Sequence, residues 1–170
     1  MARSLGFFAD LEYSLAAKLY STRWLPRSYR KHQMTMRLFQ RAADAGHLKA
    51  LSTYGHLLFH RGLSEQDKAQ GASYLLRAAQ LGEPKSQYQA ACIYEKGCHT
   101  YRRSDEKAVT WYARAGEGGH YLAAMRLAEA YAHGDLGLLQ CESKSRHWRE
   151  LAFANAKRAH ESVQELAKTA

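Results

Sequence analysis

The chain has 170 residues, of which 46% are hydrophobic, 24% charged and 11% aromatic. These values are typical of one globular domain or a short array of repeats, and 2 Pro and 12 Gly exclude a collagen-like or low-complexity chain. Asp10 and Glu12 interrupt the apolar N-terminal stretch well before the roughly 18 residues that a bilayer span requires. We therefore expect a cytoplasmic protein without a signal peptide, whose three cysteines are reduced thiols.

The net charge of +9 is concentrated near the N-terminus. Six basic residues and no acidic residue lie between positions 23 and 41, whereas the rest of the chain has a surplus of only +3. Such a segment attracts anions, so nucleic acid or an anionic membrane surface is an alternative partner, although a solvated helix face is the simpler explanation. The candidate anion-binding residues are Arg23, Arg27, Arg30, Lys31, Arg37 and Arg41.

Two helices are predicted before the first clear repeat. Leu5, Phe8, Leu11, Leu15 and Leu19 have helical spacing, and Pro26 is expected to open a second helix that runs to about Ala45. Aromatic residues among the basic ones are typical of single-stranded nucleic-acid grooves and of helices on membrane surfaces. We favour a cap whose aromatic side chains pack on the first repeat, since a repeat array needs one. The aromatic residues concerned are Phe7, Phe8, Tyr20, Trp24 and Tyr29.

The sequence then repeats with a period of 36 or 37 residues. The hexapeptide RAADAG at 41–46 recurs as RAAQLG at 77–82 and as RAGEGG at 114–119. A second glycine follows each closing glycine after 15 or 16 residues, and an aromatic residue precedes this second glycine by three. These aromatic–glycine pairs are Phe59 and Gly62, Tyr94 and Gly97, and Tyr131 and Gly134, and a further aromatic series comprises Tyr74, Trp111 and Trp148. We interpret both series as packing between helices.

Each period is predicted to form two helices. The closing glycine supplies the left-handed residue that ends a helix, and the next helix begins at once, with Pro84 in its first turn. Small residues at matching positions allow neighbouring helices to approach closely: Ala50, Ser86 and Ala123. The C-terminal stretch has no closing glycine, so the last helix is expected to continue towards Ala167.

These motifs resemble those of the Sel-1-like repeats, relatives of the tetratricopeptide repeats, over about residues 36–155. The best match to the first half of the family pattern is Ala123, Leu127, Tyr131 and Gly134, and the second half matches residues 107–119. The chain departs from the pattern at Gln70-Gly71, where the family has Lys-Ala, and has a longer loop at 136–140.

The resemblance implies an all-α fold, a short right-handed α-solenoid of antiparallel helix pairs with capping helices at both ends. We divide the chain into capping helices at 1–45, three repeats at about 46–82, 83–119 and 120–155, and a C-terminal cap at 156–170. The resemblance also implies a non-enzymatic scaffold or adaptor that binds other proteins; bacterial members often serve signalling, secretion or envelope processes. Pairing of two copies through the caps is a further expectation, because three repeats are close to the minimum for a stable array.

Catalytic and metal-binding motifs are not evident in the sequence. His56 and His60 share a helix face, but the sequence offers no clear third metal ligand, although Cys92 is one repeat away. Cys92 and Cys98 lack the spacing of a redox or zinc pair, and no nucleophile motif or glycine-rich phosphate loop is present. We predict no enzyme activity, no cofactor and no metal.

The first helix of each pair is expected to line a concave groove. Because most of the positions that helical phase assigns to it are polar or basic, we predict an acidic peptide or protein segment as the partner. The candidate partner-binding residues are Lys49, Thr53, His56, His60, Lys85, Gln89, Cys92, Lys96, Arg126, Glu129 and His133.

Overall fold

The computed structural model describes residues 2–22 and 29–168, and within these ranges the chain forms helices and no strand. The helices are α1 (Ala2–Ser21), α2 (Tyr29–Asp44), α3 (Leu48–Arg61), α4 (Glu65–Gln80), α5 (Pro84–Lys96), α6 (Asp105–Glu117), α7 (Tyr121–His133) and α8 (Glu142–Lys168). The predicted all-α fold of paired helices is confirmed. Pro26 lies outside the described residues, and the last helix continues to Lys168 as expected.

Glycines end the helices at the predicted places. Gly46, Gly82 and Gly119 have φ of 86°, 90° and 99°, the left-handed region that a side chain disfavours. The second glycine of each repeat is the C-cap of α3, α5 or α7, although the C-cap of α3, Gly62, is extended rather than left-handed. Glycine thus marks the ends of α2 to α7, whereas α1 and α8 end without one.

The helices form two compact units, residues 1–81 and residues 82–170. In unit 1, α2 contacts α1 and α3, and α3 contacts α4. The core of this unit contains Ala16, Phe39, Leu51, Tyr54, Leu58 and Tyr74. In unit 2, α5 contacts α6, and α7 contacts both α6 and α8. Its core contains Ala91, Ala108, Tyr112, Leu127 and Leu136, with Tyr94, Trp111 and Trp148 packed against it.

The predicted small positions are fully buried, since Ala50, Ser86 and Ala123 have no accessible surface. Two buried polar residues join helices in unit 2. The Oγ of Ser145 donates to the carbonyl of Ala128 at 2.9 Å, and the Nδ2 of Asn155 donates to the carbonyl of Gly116 at 2.7 Å. These bonds attach α8 to the two helices that precede it.

The N-terminal helix differs from the expectation in one respect. Helical spacing predicts α1 correctly, but Phe8, Leu11 and Leu15 are exposed, and α1 buries Ala9 and Ala16 instead. Small residues allow α1 to approach α2 closely, so its larger apolar side chains remain on the outer face. Of the aromatic residues expected to pack on the first repeat, Tyr20 contacts the ring of Phe39, Tyr29 is exposed, and Trp24 lies outside the described residues.

Candidate partner-binding surfaces

A stripe of four candidate residues runs along α3 in unit 1. Lys49, Thr53, His56 and His60 recur at intervals of four, three and four residues, which places them on one side of a helix. Lys49, His56 and His60 are exposed and Thr53 is half-buried, because the opposite side of α3 fills the core. We call these four residues the α3 stripe.

The two histidines of the α3 stripe lie side by side. Their ring centroids are 4.4 Å apart. Partial burial, together with the neighbouring His60 and Arg61, lowers the pKa of His56 and so favours the neutral imidazole. Among the described residues, no three His, Cys, Asp or Glu side chains are grouped so that they could hold a metal ion.

Four candidate residues lie on α5 in unit 2. Lys85 and Lys96 are exposed, whereas Gln89 and Cys92 are half-buried. The Sγ of Cys92 is 3.4 Å from the hydroxyl of the buried Tyr112, at hydrogen-bond distance for sulfur. This thiol therefore belongs to the contact between α5 and α6 rather than to a free surface.

Arg126, a candidate partner-binding residue on α7, already contacts two carboxylates of its own unit. Its guanidinium donates to the Oε1 of Glu95 at 2.7 and 3.0 Å and to the Oδ2 of Asp135 at 3.1 Å. Burial alone would raise the pKa of Glu95, but the bonds from Tyr112 and Arg126 outweigh it and hold that pKa below its ordinary value. Two carboxylates thus neutralise Arg126, while Glu129 and His133 on the same helix are exposed.

Sequence reasoning missed the role of two equivalent histidines. His47 and His120 are the N-caps of α3 and α7, where the Nδ1 of each ring accepts the backbone N–H of Ala50 or Ala123, at 3.0 and 3.4 Å. Each ring also stacks on a tyrosine of its own unit, His47 on Tyr13 and His120 on Tyr88, with centroids 4.5 and 4.4 Å apart. The only sequence signal was their shared place after a closing glycine.

The surroundings of the two histidine caps differ. The Nε2 of His47 lies 3.2 Å from the Oδ1 of Asp10. Burial lowers the pKa of His120, and burial likewise raises the pKa of its stacking partner Tyr88 to about 12. An N-cap acceptor must be unprotonated, so the lowered pKa of His120 suits its position.

The basic segment is described in part. Arg23 and Arg27 lie outside the described residues. Arg30 and Arg37 are exposed on α2, whereas Arg41 makes an ion pair with Glu12 of α1 at 2.7 Å. Lys31 is half-buried, and its Nζ donates to the carbonyl of Thr22 at 2.7 Å. The segment is therefore partly committed to contacts within unit 1.

The paired helices and their glycines can be compared with known proteins. A model of the Sel1 repeat matches four segments, residues 9–47, 49–83, 84–120 and 122–156. The chain belongs to the Sel1 repeat family. The first matched segment of this Sel1 repeat protein covers most of the region that we assigned to the N-terminal cap.

Solved structures share the fold of this Sel1 repeat protein. A Sel1 repeat protein from Oxalobacter formigenes superposes with a TM-score of 0.73 and 23% identity, over 90% of our chain and 64% of the other. A protective antigen present in uropathogenic Escherichia coli strains, which has an SLR fold, superposes with a TM-score of 0.72 and 20% identity, over 91% of our chain and 34% of the other. An immunity protein from Pseudomonas aeruginosa superposes with a TM-score of 0.54 and 17% identity, over 86% of our chain and 68% of the other. Our chain thus spans about two thirds and one third of the length of the first two.

Sel1 repeats generally act as scaffolds for protein–protein interaction and are typically non-enzymatic. The likeness to solved structures at these identities carries the fold and not a particular partner. In the part of the Sel1 repeat protein that the structure describes, none of the helices has the length and hydropathy that crossing a bilayer requires.

Proposed function

We propose that this Sel1 repeat protein is a non-enzymatic adaptor whose α3 stripe binds an acidic segment of another protein. One observation carries the proposal. The exposed side of α3 presents Lys49 and two imidazoles, and the sequence of α3 contains no Asp or Glu. A carboxylate-bearing segment laid along this helix would meet hydrogen-bond donors without a like charge from α3 itself.

The composition of the stripe also suits recognition of a peptide. The four side chains of the α3 stripe extend over about three helical turns. This length suits a short peptide better than a single ion. Imidazoles and a lysine at exposed positions give specificity and a faster association rate more than they give affinity. We therefore expect modest binding that weakens as the salt concentration rises.

In unit 2 the proposal assigns the basic contacts to Lys85 and Lys96. Both are exposed on α5, while Arg126 already contacts two carboxylates. An acidic partner would have to replace hydrogen bonds that Arg126 makes at 2.7 to 3.1 Å, which leaves little net gain. Arg126 accordingly has a structural role in this proposal, and each unit offers its own basic surface.

A binding titration with matched variants tests the α3 stripe. We expect a fluorescein-labelled, glutamate-rich peptide to bind the wild-type chain by fluorescence anisotropy, and Lys49→Glu to weaken binding by roughly tenfold, since it reverses one charge at the contact. Lys68→Glu is the control, because Lys68 is also exposed in unit 1 but lies on α4, where it pairs with Glu65. Equal weakening by the two variants would show a general charge effect and remove the α3 stripe from the proposal.

Affinity purification from the native host with mass spectrometry identifies the partner. We expect the wild type and Lys68→Glu to retain the same protein, and Lys49→Glu to lose it. Retention of nucleic acid or anionic lipid instead, lost when Arg30 and Arg37 are replaced by glutamine, would favour the alternative partner of the basic segment. Retention by all variants alike would contradict the α3 assignment.

A further inference from the structure

A cleft of about 820 Å³ lies in unit 1 where the end of α1, the start of α2 and the end of α3 meet. Its volume is within the range of about 300–1,000 Å³ that is common for small-molecule sites. The cleft lies outside the α3 stripe, because none of the four stripe residues lines it. The cleft is therefore a surface separate from the α3 stripe, although Arg61 on its wall belongs to the same helix.

The described walls of the cleft carry positive charge. Lys31, His32 and Arg61 line it together with tyrosines, and the described lining contains no acidic residue. A cavity with charge of a single sign raises the local concentration of counter-ions far more than the same charges do on a convex surface.

The two permanent cations are held in place by neutral acceptors. The Nζ of Lys31 donates to the backbone carbonyl of Thr22 at 2.7 Å, and the Nη1 of Arg61 donates to the hydroxyl of Tyr20 at 2.9 Å. Neutral acceptors orient a cation without cancelling its charge, and each cation keeps further N–H groups for a ligand. This arrangement contrasts with Arg41, whose partner in the same unit is the carboxylate of Glu12.

We propose that this cleft binds the phosphate monoester of a small organic molecule that carries a planar ring. A phosphate monoester has a charge close to −2 and three acceptor oxygens, which matches two cations and an imidazole better than a single carboxylate does. Tyr20 and Tyr29 supply aromatic surface beside the cations, and the hydroxyl of Tyr29 accepts a bond from Gln33 at 2.7 Å. The ring of the ligand would stack on this surface.

Isothermal titration calorimetry with the full chain tests the site. The probes are phenyl phosphate, inorganic phosphate and benzoate at about pH 7.5, where the phosphate monoester is a dianion. We expect saturable binding of phenyl phosphate, weaker binding of inorganic phosphate because it lacks the ring, and the weakest binding of benzoate. No saturable binding of phenyl phosphate up to about 10 mM would overturn the proposal. Benzoate binding as tightly as phenyl phosphate would also overturn it, since the charge match would then be wrong.

Matched variants separate a formed cleft from a diffuse positive surface. Lys31→Gln and Arg61→Gln should each weaken phenyl phosphate binding by about tenfold or more, because each removes a charge-assisted hydrogen bond. Arg37→Gln is the control, since Arg37 is exposed on α2 but does not line the cleft. Equal weakening by Arg37→Gln would overturn the proposal, as would tighter binding of a single-stranded oligonucleotide that Arg37→Gln also weakens. Arg61 is exposed, so Arg61→Gln should fold normally, which circular dichroism checks.

Discussion

A Cβ atom on Gly71 would lie 2.4 Å from the backbone nitrogen of Phe59, so α3 and α4 cross at a separation that a larger residue at position 71 does not allow. The residue of α3 that faces this crossing is also a glycine, Gly55. A Cβ atom on Gly55 would lie 2.9 Å from the backbone nitrogen of Leu75. Two glycines, one on each helix, thus bring the backbones of the α3–α4 pair together in the unit that carries the α3 stripe.

Replacing Gly71 by alanine should destabilise unit 1. The added methyl group meets backbone atoms, which cannot rotate away as a side chain could, so the helices must separate. We expect Gly71→Ala to lower the free energy of unfolding by about 1–3 kcal/mol, as overpacking a core usually does. Urea denaturation followed by circular dichroism measures the change.

Gly6→Ala is the control for the crossing. Gly6 lies within α1, and a Cβ atom there would have nothing within 4 Å. Alanine at this position should raise stability by about 0.5–1 kcal/mol, through helix propensity alone. If Gly71→Ala were as harmless as Gly6→Ala, the crossing would not depend on glycine.

The same crossing shows what the sequence could and could not predict. Period, closing glycines and small residues predicted the helices, since these features act locally along the chain. In the sequence, Gln70-Gly71 was visible only as a departure from the family pattern. The need for glycine at position 71 comes from the backbone of α3, which the sequence around Gly71 does not show. A backbone separation depends on both facing residues, Gly55 and Gly71, and neither is informative without its partner.

The candidate surfaces follow the same distinction. Helical phase assigned Lys49, His56 and Lys96 to the partner-binding surface, and all three are exposed. It gave the same assignment to Arg126, because phase does not reveal that Glu95, which is 31 residues earlier, contacts the guanidinium. Long polar side chains contact charged groups on other helices, and only the tertiary structure shows which charges are already neutralised.

The contact between Glu95 and Arg126 should contribute to the stability of unit 2. Both side chains are about four-fifths buried, with 21% and 24% of their surface exposed, so neither is fully rehydrated when its partner is removed. We expect a double-mutant cycle with Glu95→Gln and Arg126→Met to give a coupling energy of about 1–3 kcal/mol. Denaturation curves of the four proteins provide the measurement.

The pair of Arg103 and Asp105 serves as the comparison for this cycle. Its side chains are 65% and 33% exposed, and they are two residues apart in the chain. Water screens such a pair, so its coupling energy should be clearly smaller than that of Glu95 and Arg126. If the double-mutant cycle at Glu95 and Arg126 shows no coupling energy, Arg126 would again be a candidate partner-binding residue.

The histidine cap of α7 should make stability depend on pH. Burial lowers the pKa of His120 in the folded chain, so the unfolded chain binds more protons between that value and 6.5. The contribution of His120 is therefore fully present above pH 6.5 and is lost as the pH falls through the lowered pKa. Protonation of Nδ1 also removes the acceptor for the N–H of Ala123.

Two variants isolate this contribution. His120→Ala removes the cap and should cost about 0.5–2 kcal/mol at pH 7.5. His120→Asp keeps an acceptor at the cap but does not titrate near pH 6, so its stability should fall less than that of the wild type between about pH 7 and pH 5. Parallel pH profiles for the wild type and His120→Asp would show that the imidazole does not titrate as we expect.

Binding of an acidic segment to the α3 stripe should strengthen as the pH falls. In the free chain, burial and the adjacent His60 and Arg61 lower the pKa of His56. A bound carboxylate favours the protonated imidazole and raises that pKa, so binding takes up a proton. Affinity should therefore rise as the pH decreases from the raised pKa of the complex to the lowered pKa of the free chain, and become constant below it. Anisotropy titrations between about pH 8 and pH 5.5, where the peptide carboxylates stay ionised, measure this dependence.

Two variants test whether His56 takes up protons when the acidic segment binds. His56→Gln should make the profile shallower, since His60 still lies beside the bound carboxylates, while retaining most of the affinity at pH 8, because the neutral imidazole and the amide have similar hydrogen-bonding capacity. His99→Gln is the control, since His99 is exposed in the turn between α5 and α6, in the other unit. An affinity that rises with pH would contradict both the carboxylate partner and the position of His56 at the contact. A profile that His99→Gln flattens as much as His56→Gln would move the proton uptake away from α3, because only a histidine beside the bound carboxylate changes its pKa on binding.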